Sequence, residues 1–389
     1  MEKISHKVTA TILSMSLLTV MAGAAIAPAL GLIKQHFAYR PAILVQLIVS
    51  MPALFIIVTN FFFSTVASHL SSRTIAISGL LLYVVAGAGC YFCADIYALM
   101  IMRGLLGVSV GLIMPLSTGL LAFYYPPERQ AQLMGFSAAM NQMGGVVATL
   151  LAGLLAQVEW NYAFLVYLLG LIALVMVIIW LPDARLSTEG KTIKLSNLVR
   201  FHPSVTGMFL LMTIFFVYPT NFAITAPRQC EISTTSTTVI MVGLDLVAFL
   251  VGMAFGGIMN ACRRQLKYFA PLMFIAGYSC LAWADGLSLI IAGSALIGIS
   301  AGLGVPYLNT IASIKGGRDS VNTVMPLLSA ALYLGQFVSP LLVMPLSGVL
   351  FDKADIAAPY KVAVALSVMF LAQVWLTRNL QSLPPEQHQ

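Results

Sequence analysis

The chain has 389 residues, of which 60% are hydrophobic and only 8% charged, and its mean hydropathy is +0.94. Soluble domains carry about 25% charged residues, so this composition excludes a soluble globule of this size. The net charge of +7 does not point to nucleic acid, because the basic residues gather in short stretches between apolar runs.

Each apolar run is long enough to cross the hydrocarbon core as a helix, which takes about 20 residues and satisfies its own backbone hydrogen bonds there. In chain order the predicted spans are 8–33, 42–67, 74–94, 98–123, 131–157, 161–181, 204–226, 238–261, 268–284, 287–311, 322–350 and 359–377, twelve in all. The first run, Val8 to Ile33, exceeds the roughly 7–15 apolar residues of a signal-peptide core and is read as the first membrane helix. The longest hydrophilic stretch, Pro182 to His202, lies between spans six and seven. It divides the chain into an N-terminal six-helix bundle (1–181), a linker (182–203) and a C-terminal six-helix bundle (204–389).

Orientation follows from the loop cations. On the side of the termini lie Lys3, Lys7, Arg73, Arg129, Arg185, Lys191, Lys194, Arg200, Arg263, Arg264, Lys267, Lys315, Arg318 and Arg378, fourteen against five (Lys34, Arg40, Arg228, Lys353 and Lys361) on the other. The positive-inside rule places both termini and the linker in the cytoplasm, in a multi-pass protein of the cell's inner membrane.

The halves share a pattern. Span four reads Gly107-Val-Ser-Val-Gly111-Leu-Ile-Met-Pro115, and span ten reads Gly298-Ile-Ser-Ala-Gly302-Leu-Gly-Val-Pro306, 191 residues later. Gly144 of span five and Gly335 of span eleven are again 191 apart. A parallel repeat of six helices is how many transporters build a pathway between two halves. These glycines let helices approach closely. Pro306, Pro326, Pro340 and Pro345 each remove a backbone donor and are expected to bend their helices, so the glycines together with Pro115, Pro306 and Pro340 are candidates for gating and helix packing.

Charges inside a bilayer are costly and usually purposeful. Two charged side chains lie clearly within spans, away from their first residues: Arg103 in span four and Asp245 in span eight. Desolvation favours the neutral form of a carboxyl, which suits Asp245 to proton coupling, with Glu231 just outside span seven as a second candidate. Arg103 sits about five residues into its span, from where it could otherwise snorkel to the interface. Uncharged groups that could line a substrate cavity are Gln46, Asn60, Asn141, Gln142, Tyr218, Asn221, Asn309, Tyr333 and Gln336. By the repeat, Asn141 and Gln142 of span five oppose Tyr333 and Gln336 of span eleven. The same amides also suit packing between helices. All five histidines lie in loops or tails, and the Cys90–Cys93 pair has no neighbouring His or second CxxC, so no metal site or cofactor is expected. No phosphate-binding glycine loop, catalytic constellation or ATP-binding domain is visible, so the chain is not read as an enzyme.

Three stretches resemble the major facilitator superfamily, and within it the twelve-helix drug:proton antiporter branch. The loop Ser64-Thr-Val66-Ala67-Ser68-His69-Leu-Ser71-Ser72-Arg73 follows the family frame G-x-L-a-D-r-x-G-R-K, with Ser68 where the family has Asp. In the family that Asp joins a charge network that latches the cytoplasmic side, so the resemblance does not carry that latch over to this chain. Arg103-Gly-Leu-Leu-Gly107-Val-Ser-Val-Gly111 follows R-x-x-q-G-x-g, and implies for Arg103 the family arginine's role in protonation or helix contact. Gly135, Gly144 and Gly153 fall on the antiporter motif G-x8-G-x3-G-P-x2-G-G, whose central Gly-Pro is here Ala148-Thr149. Trp160-Asn-Tyr-Ala-Phe164 is similar to the W-R-W-x-F opening of span six, and Tyr125-Pro-Pro-Glu-Arg129 also suits this branch.

The expectation is an all-α integral membrane protein with two pseudo-symmetric six-helix bundles. It would be a monomer surrounded by lipid, moving a small organic or amphipathic solute by alternating access and exporting it against protons, with substrate held between the halves. Uptake or facilitated diffusion of a nutrient without proton coupling is the alternative. A non-transporting membrane sensor fits less well, given tails of only about seven and eleven residues.

Overall fold

The computed structural model describes residues 6–125, 127–185, 195–262, 265–352 and 354–377, with backbone alone at 127–128, 131–132, 195–200 and 315–323. Of the cations in the orientation argument, Lys3, Lys191, Lys194, Arg263, Arg264, Lys353 and Arg378 lie outside the described residues, and Arg200, Lys315 and Arg318 are described by backbone alone. The regular structure of the described residues is helical throughout.

Eleven helical segments are long and apolar enough to cross a membrane: His6–His36, Ala42–His69, Ser72–Phe92, Ile96–Tyr124, Leu133–Leu155, Trp160–Trp180, Phe201–Cys230, Thr234–Cys262, Leu287–Ile314, Val324–Leu350 and Ala358–Leu376. A shorter apolar helix, Leu266–Ala282, takes the place of span nine and completes the twelve. At 17 residues it is about 25 Å long. The span numbers below follow this order.

Local chemistry sets the helix ends. Asp95 caps span four by accepting the Tyr97 amide at 2.9 Å, and Ser71 accepts the Thr74 amide at 3.3 Å to start span three. Gln130 donates to the carbonyls of Ala122 (2.9 Å) and Tyr125 (2.7 Å) at the end of span four. Arg73 donates to the Ile178 carbonyl at 2.5 Å, so the one basic residue left in the degenerate loop after span two caps the end of span six. Span six opens as a 3-10 stretch, Trp160–Leu169, and continues as α-helix Gly170–Trp180. Glu231, at φ 52°, closes span seven in the left-handed conformation.

The chain forms two compact units: Met1–Gly190 with Ser233–Val242, and Lys191–Ile232 with Gly243–Gln389. Within each, the same seams recur. A Cβ at Gly107 would collide with the Pro52 carbonyl, and one at Gly298 would lie 2.7 Å from the Leu244 carbonyl. Gly111 faces the Ile56 carbonyl, and Gly302 faces that of Ala248. Gly144 is pressed on the Leu17 carbonyl, and Gly335 on that of Phe209. Every glycine in these pairs is displaced by 191 residues and every carbonyl partner by 192. Ser109 donates to the Gly79 carbonyl and Ser300 to that of Ala270, both at 2.8 Å and again 191 apart. The sequence repeat is thus a repeat of contacts: span four packs on two and three as ten packs on eight and nine, and five packs on one as eleven packs on seven.

One connection differs from expectation. The sequence predicts a loop at 312–321, but helical backbone runs on from Leu287 to Leu350. The chain still reverses there. Ser294 pairs with Tyr218, and Gly207 sits beside Leu308, so span ten runs antiparallel to span seven. Gly335 meets Phe209 and Ser339 meets Thr213, so span eleven runs parallel to it. The stretch holds no proline between Pro306 and Pro326 that would end the helix, and Gly316-Gly317 within it is of the kind at which helices kink.

The seams generate a prediction. Gly144→Val forces a side chain into the Leu17 backbone, which cannot yield as a flexible side chain would, and should cost about 3 kcal/mol or more. Gly135→Ala meets nothing within 4 Å and should be neutral or gain about 1 kcal/mol. Melting in detergent checks both; equal behaviour of the two variants would refute the seam.

Candidate functional site

The polar interior of the first unit is built around a broken helix. Pro28 has no amide proton, and span one stops being α-helical at Ala24, passes through a 3-10 turn at Ala27–Ala29 and resumes at Leu30–His36. In lipid every carbonyl needs a donor. The Ala22 carbonyl receives Nη2 of Arg103 at 2.5 Å and the Tyr167 hydroxyl at 3.1 Å. Arg103 also donates from Nε to the Ile48 carbonyl at 2.7 Å and from Nη1 to the Tyr167 oxygen at 2.6 Å. Its exposure is 0%, so it does not snorkel to an interface. Spans one, two, four and six therefore meet on one guanidinium.

Tyr167 is held for this task. Its ring fills the space that a Cβ on Gly87 would occupy, and packs edge-on against Tyr83 at 5.6 Å. Tyr83 in turn rests on Gly170 and donates to the Leu18 carbonyl at 3.2 Å. A hydroxyl ladder joins span one to span five: Ser16 to Ser137 at 2.7 Å, and Thr19 to Asn141 at 2.7 Å.

The second unit repeats the break with neutral caps. Pro219 stands 191 residues after Pro28. The helix Leu195–Phe215 ends there and restarts at Val217. Proline at 219 leaves the Phe215 carbonyl without its helical donor. The Tyr278 hydroxyl covers Ile214 and Phe215 at 2.6 and 3.3 Å, and Ser339 donates to the Thr213 carbonyl at 2.7 Å. Where the first unit has Arg103, the repeat places Ser294. Ser294 donates to its own helix at the Ile290 carbonyl (2.8 Å) and accepts the Tyr218 hydroxyl (2.9 Å). Tyr360 of span twelve shares a hydrogen bond with Thr225 of span seven.

The predicted residues divide accordingly. Asp245 is half-buried in span eight, and its charge reaches the Tyr218 hydroxyl. Glu231 is exposed beyond the end of span seven, outside the buried polar groups. Asn141 and Gln336 each find a partner within their own unit: Asn141 on Thr19, and Gln336 with its amide 3.9 Å from the Met212 sulfur. Asn221 spends its amide on Val217 (2.9 Å) and Thr220 (3.1 Å) of its own helix. Gln46 is buried, Asn60, Asn309 and Tyr333 are half-buried, and Gln142 is exposed. Gly107, Gly111, Gly144, Gly298, Gly302 and Gly335 lie in the seams, and Pro115, Pro306 and Pro340 lie inside continuous helix. Cys90 is buried, and partial burial pushes the Cys93 thiol up, away from the reactive thiolate.

Residue patterns alone missed Tyr167, Tyr278, Ser294, Ser339 and the pair of breaks. The available signal was the 191-residue spacing of Pro28 and Pro219. An apolar groove of about 510 Å³ between spans five and six, lined by Leu151, Leu154, Leu155, Leu165 and Leu169 among others, lacks polar groups and stands apart from this site.

Comparison with known proteins agrees with this architecture. The sequence profile of the Major Facilitator Superfamily matches residues 12–340. Quinolone resistance protein NorA of Staphylococcus aureus is 25% identical over 366 residues, covering 88% of this chain and 89% of its own. Multidrug transporter protein MdtP of Bacillus subtilis is 26% identical over 113 residues, 28% of this chain and 21% of its own. Among solved structures, a bacterial homologue of the human lysosomal transporter Spinster superposes with a TM-score of 0.81 at 14% identity, over 97% and 98% of the two chains. The D-xylose–proton symporter gives 0.77 at 14% identity, over 98% and 100%. The fold, the repeated contacts and the profile match together establish that this multi-pass membrane protein belongs to the Major Facilitator Superfamily, a family of transporters of small molecules rather than enzymes.

Proposed function

We propose that this transporter exports a small amphipathic organic compound in exchange for protons, with Asp245 as the proton carrier. The observation that carries the reading is the placement of Asp245: a carboxyl half-buried in the middle of an apolar span, within electrostatic reach of a buried hydroxyl cluster. Such a group has to justify the cost of its burial, and loading and unloading a proton is the chemistry it can do. The similarity to a quinolone resistance protein and to a multidrug transporter supports export and an aromatic, amphipathic substrate class. The loop cations support a cytoplasmic position for both termini.

Arg103 enters as a modulator. Its guanidinium is a fixed cation that binds the break in span one to three other helices, so it governs whether span one can rearrange. Gln46, Asn60, Gln142, Asn309 and Tyr333 are proposed to supply the polar contacts to substrate, while Asn141, Asn221 and Gln336 serve first in helix packing. One observation favours a second reading, facilitated uptake. Ala148 and Thr149, where the antiporter motif has Gly-Pro, are buried within an unbroken helix, Pro127–Leu155.

Proteoliposomes containing a pH-sensitive dye separate the two. Adding norfloxacin as the quinolone probe should evoke proton flux through the wild type, and Asp245→Asn should lose at least about ten-fold of it, the change expected for removing one essential proton carrier. Norfloxacin movement without proton flux, the same in the variant, would instead establish uniport. For Arg103, the Lys substitution retains charge but loses the fork that reaches three acceptors. Arg103→Lys should lower stability by about 3 kcal/mol and slow transport, whereas Tyr167→Phe should cost about 1 kcal/mol. Thermal melting with parallel flux assays tests this; an Arg103→Lys protein with wild-type melting and flux would remove Arg103 from the mechanism.

A further inference from the structure

Tyr218 has a single hydroxyl proton, which it gives to Ser294, and Asp245 acts electrostatically on the same hydroxyl. The residue lies two positions beyond the break at Phe216, is 2% exposed, and stacks on Phe222 at 4.4 Å and 19°. The ring is therefore held and only the hydroxyl can turn. Its partner Ser294 has its own proton committed to the Ile290 carbonyl at 2.8 Å. In the 2.9 Å bond between them, Tyr218 must be the donor. That bond ties span seven to span ten.

Asp245 approaches the same place from span eight. The carbonyl of Leu244, its neighbour in sequence, is seated against Gly298, one turn along span ten from Ser294. Side chains on a helix lean toward its N-terminal end. Spans eight and ten run in the same direction, since Leu244 meets Gly298 and Ala248 meets Gly302. An Asp245 carboxyl that follows this lean stands at the level of Ser294 and Tyr218, in keeping with its electrostatic influence on the Tyr218 hydroxyl. The other titratable groups acting on Tyr218 are Tyr278 of span nine and Tyr360 of span twelve. Both are neutral phenols with partners of their own, the Ile214 and Phe215 carbonyls and Thr225.

We propose that Tyr218 is a positioning residue whose one proton is given to Ser294 while Asp245 is protonated and to the Asp245 carboxylate once that proton has left. The proposal rests on the reading of Asp245 as the proton carrier. The proton released by the carboxyl goes to water. Tyr218 keeps its own proton and changes only the acceptor, because a hydrogen bond to a charged group is roughly twice as strong as one to a neutral group. Ser294 keeps its bond to Ile290. Loss of the transported proton then unties span seven from span ten and ties it to span eight; reprotonation reverses the exchange. Span seven is where the second unit's helix is broken, so the switch acts on the segment least held by its own backbone.

The test is the pH profile of norfloxacin-evoked proton exchange in proteoliposomes for wild type, Tyr218→Phe and Ser294→Ala. Removing the donor denies the carboxylate its hydrogen bond and should move the midpoint up by about one pH unit, the shift that corresponds to one bond to a charged group. Removing the competing acceptor frees the Tyr218 proton for the carboxylate and should move the midpoint down, by about half a unit. Opposite shifts support the switch. Shifts of the same sign, or reduced turnover with an unmoved midpoint, overturn it and leave a structural contact. If Tyr218→Phe does not reach the membrane, the sign of the Ser294→Ala shift decides alone. Asp245→Asn run in parallel keeps the two levels apart: retained proton coupling there removes the carrier reading and the switch with it, whereas lost coupling with unmoved midpoints removes the switch only.

Discussion

A backbone carbonyl in hydrocarbon must have a donor, and two prolines in this chain break that provision at equivalent places. Pro28 and Pro219 interrupt the first helix of each unit and leave carbonyls that the helix itself cannot satisfy. The donors come from elsewhere in the same unit: Arg103 and Tyr167 in the first, Tyr278 and Ser339 in the second. Each donor needs its own seat. Tyr167 occupies the notch at Gly87, and the seams around Arg103 depend on Gly107 and Gly111 bringing span four onto span two. The polar interior is thus a consequence of two broken helices, and the glycines are what allow the repair.

The two repairs are not equivalent. The first uses a buried cation that donates three hydrogen bonds, to Ala22, Ile48 and Tyr167, and moving it would strand charge in a medium that penalises it heavily. The second uses hydroxyls, whose bonds are each worth about 1 kcal/mol and can be exchanged one for another. A six-helix repeat has therefore diverged at the position of Arg103 and Ser294 into one unit with a charge-locked break and one with a neutral, adjustable break. Asp245 stands in the second unit, beside the adjustable one. In the proposed switch, that pairing of an ionisable group with exchangeable hydroxyls gives proton movement a direct mechanical consequence within the second unit.

Much of this was legible beforehand. Twelve crossings followed from apolar run length, and the repeat followed from Gly107, Gly111 and Gly144 recurring at Gly298, Gly302 and Gly335. The structure converts that spacing into matched glycine–carbonyl contacts. The helix breaks at Pro28 and Pro219 were not legible in residue type, which does not separate them from Pro306, Pro326, Pro340 and Pro345. These lie in a helix that stays helical around them. Arg103 looked able to snorkel because its distance along the span was short. Sequence position says how deep a residue sits, but not which way it faces.

The sequence by itself determined membrane residence, the number of crossings, the sixfold repeat and the residues whose burial is too costly to be accidental. These depend on solvation and periodicity, which act locally and are read from residue type and spacing. Only the tertiary structure decided which polar groups meet. Arg103 and Ala22 are separated by 81 residues, Tyr218 and Ser294 by 76, and Thr19 and Asn141 by 122. The hydrogen bond that binds each pair is short-ranged and directional, so its existence depends on how the helices pack and rotate against one another. No local pattern encodes that.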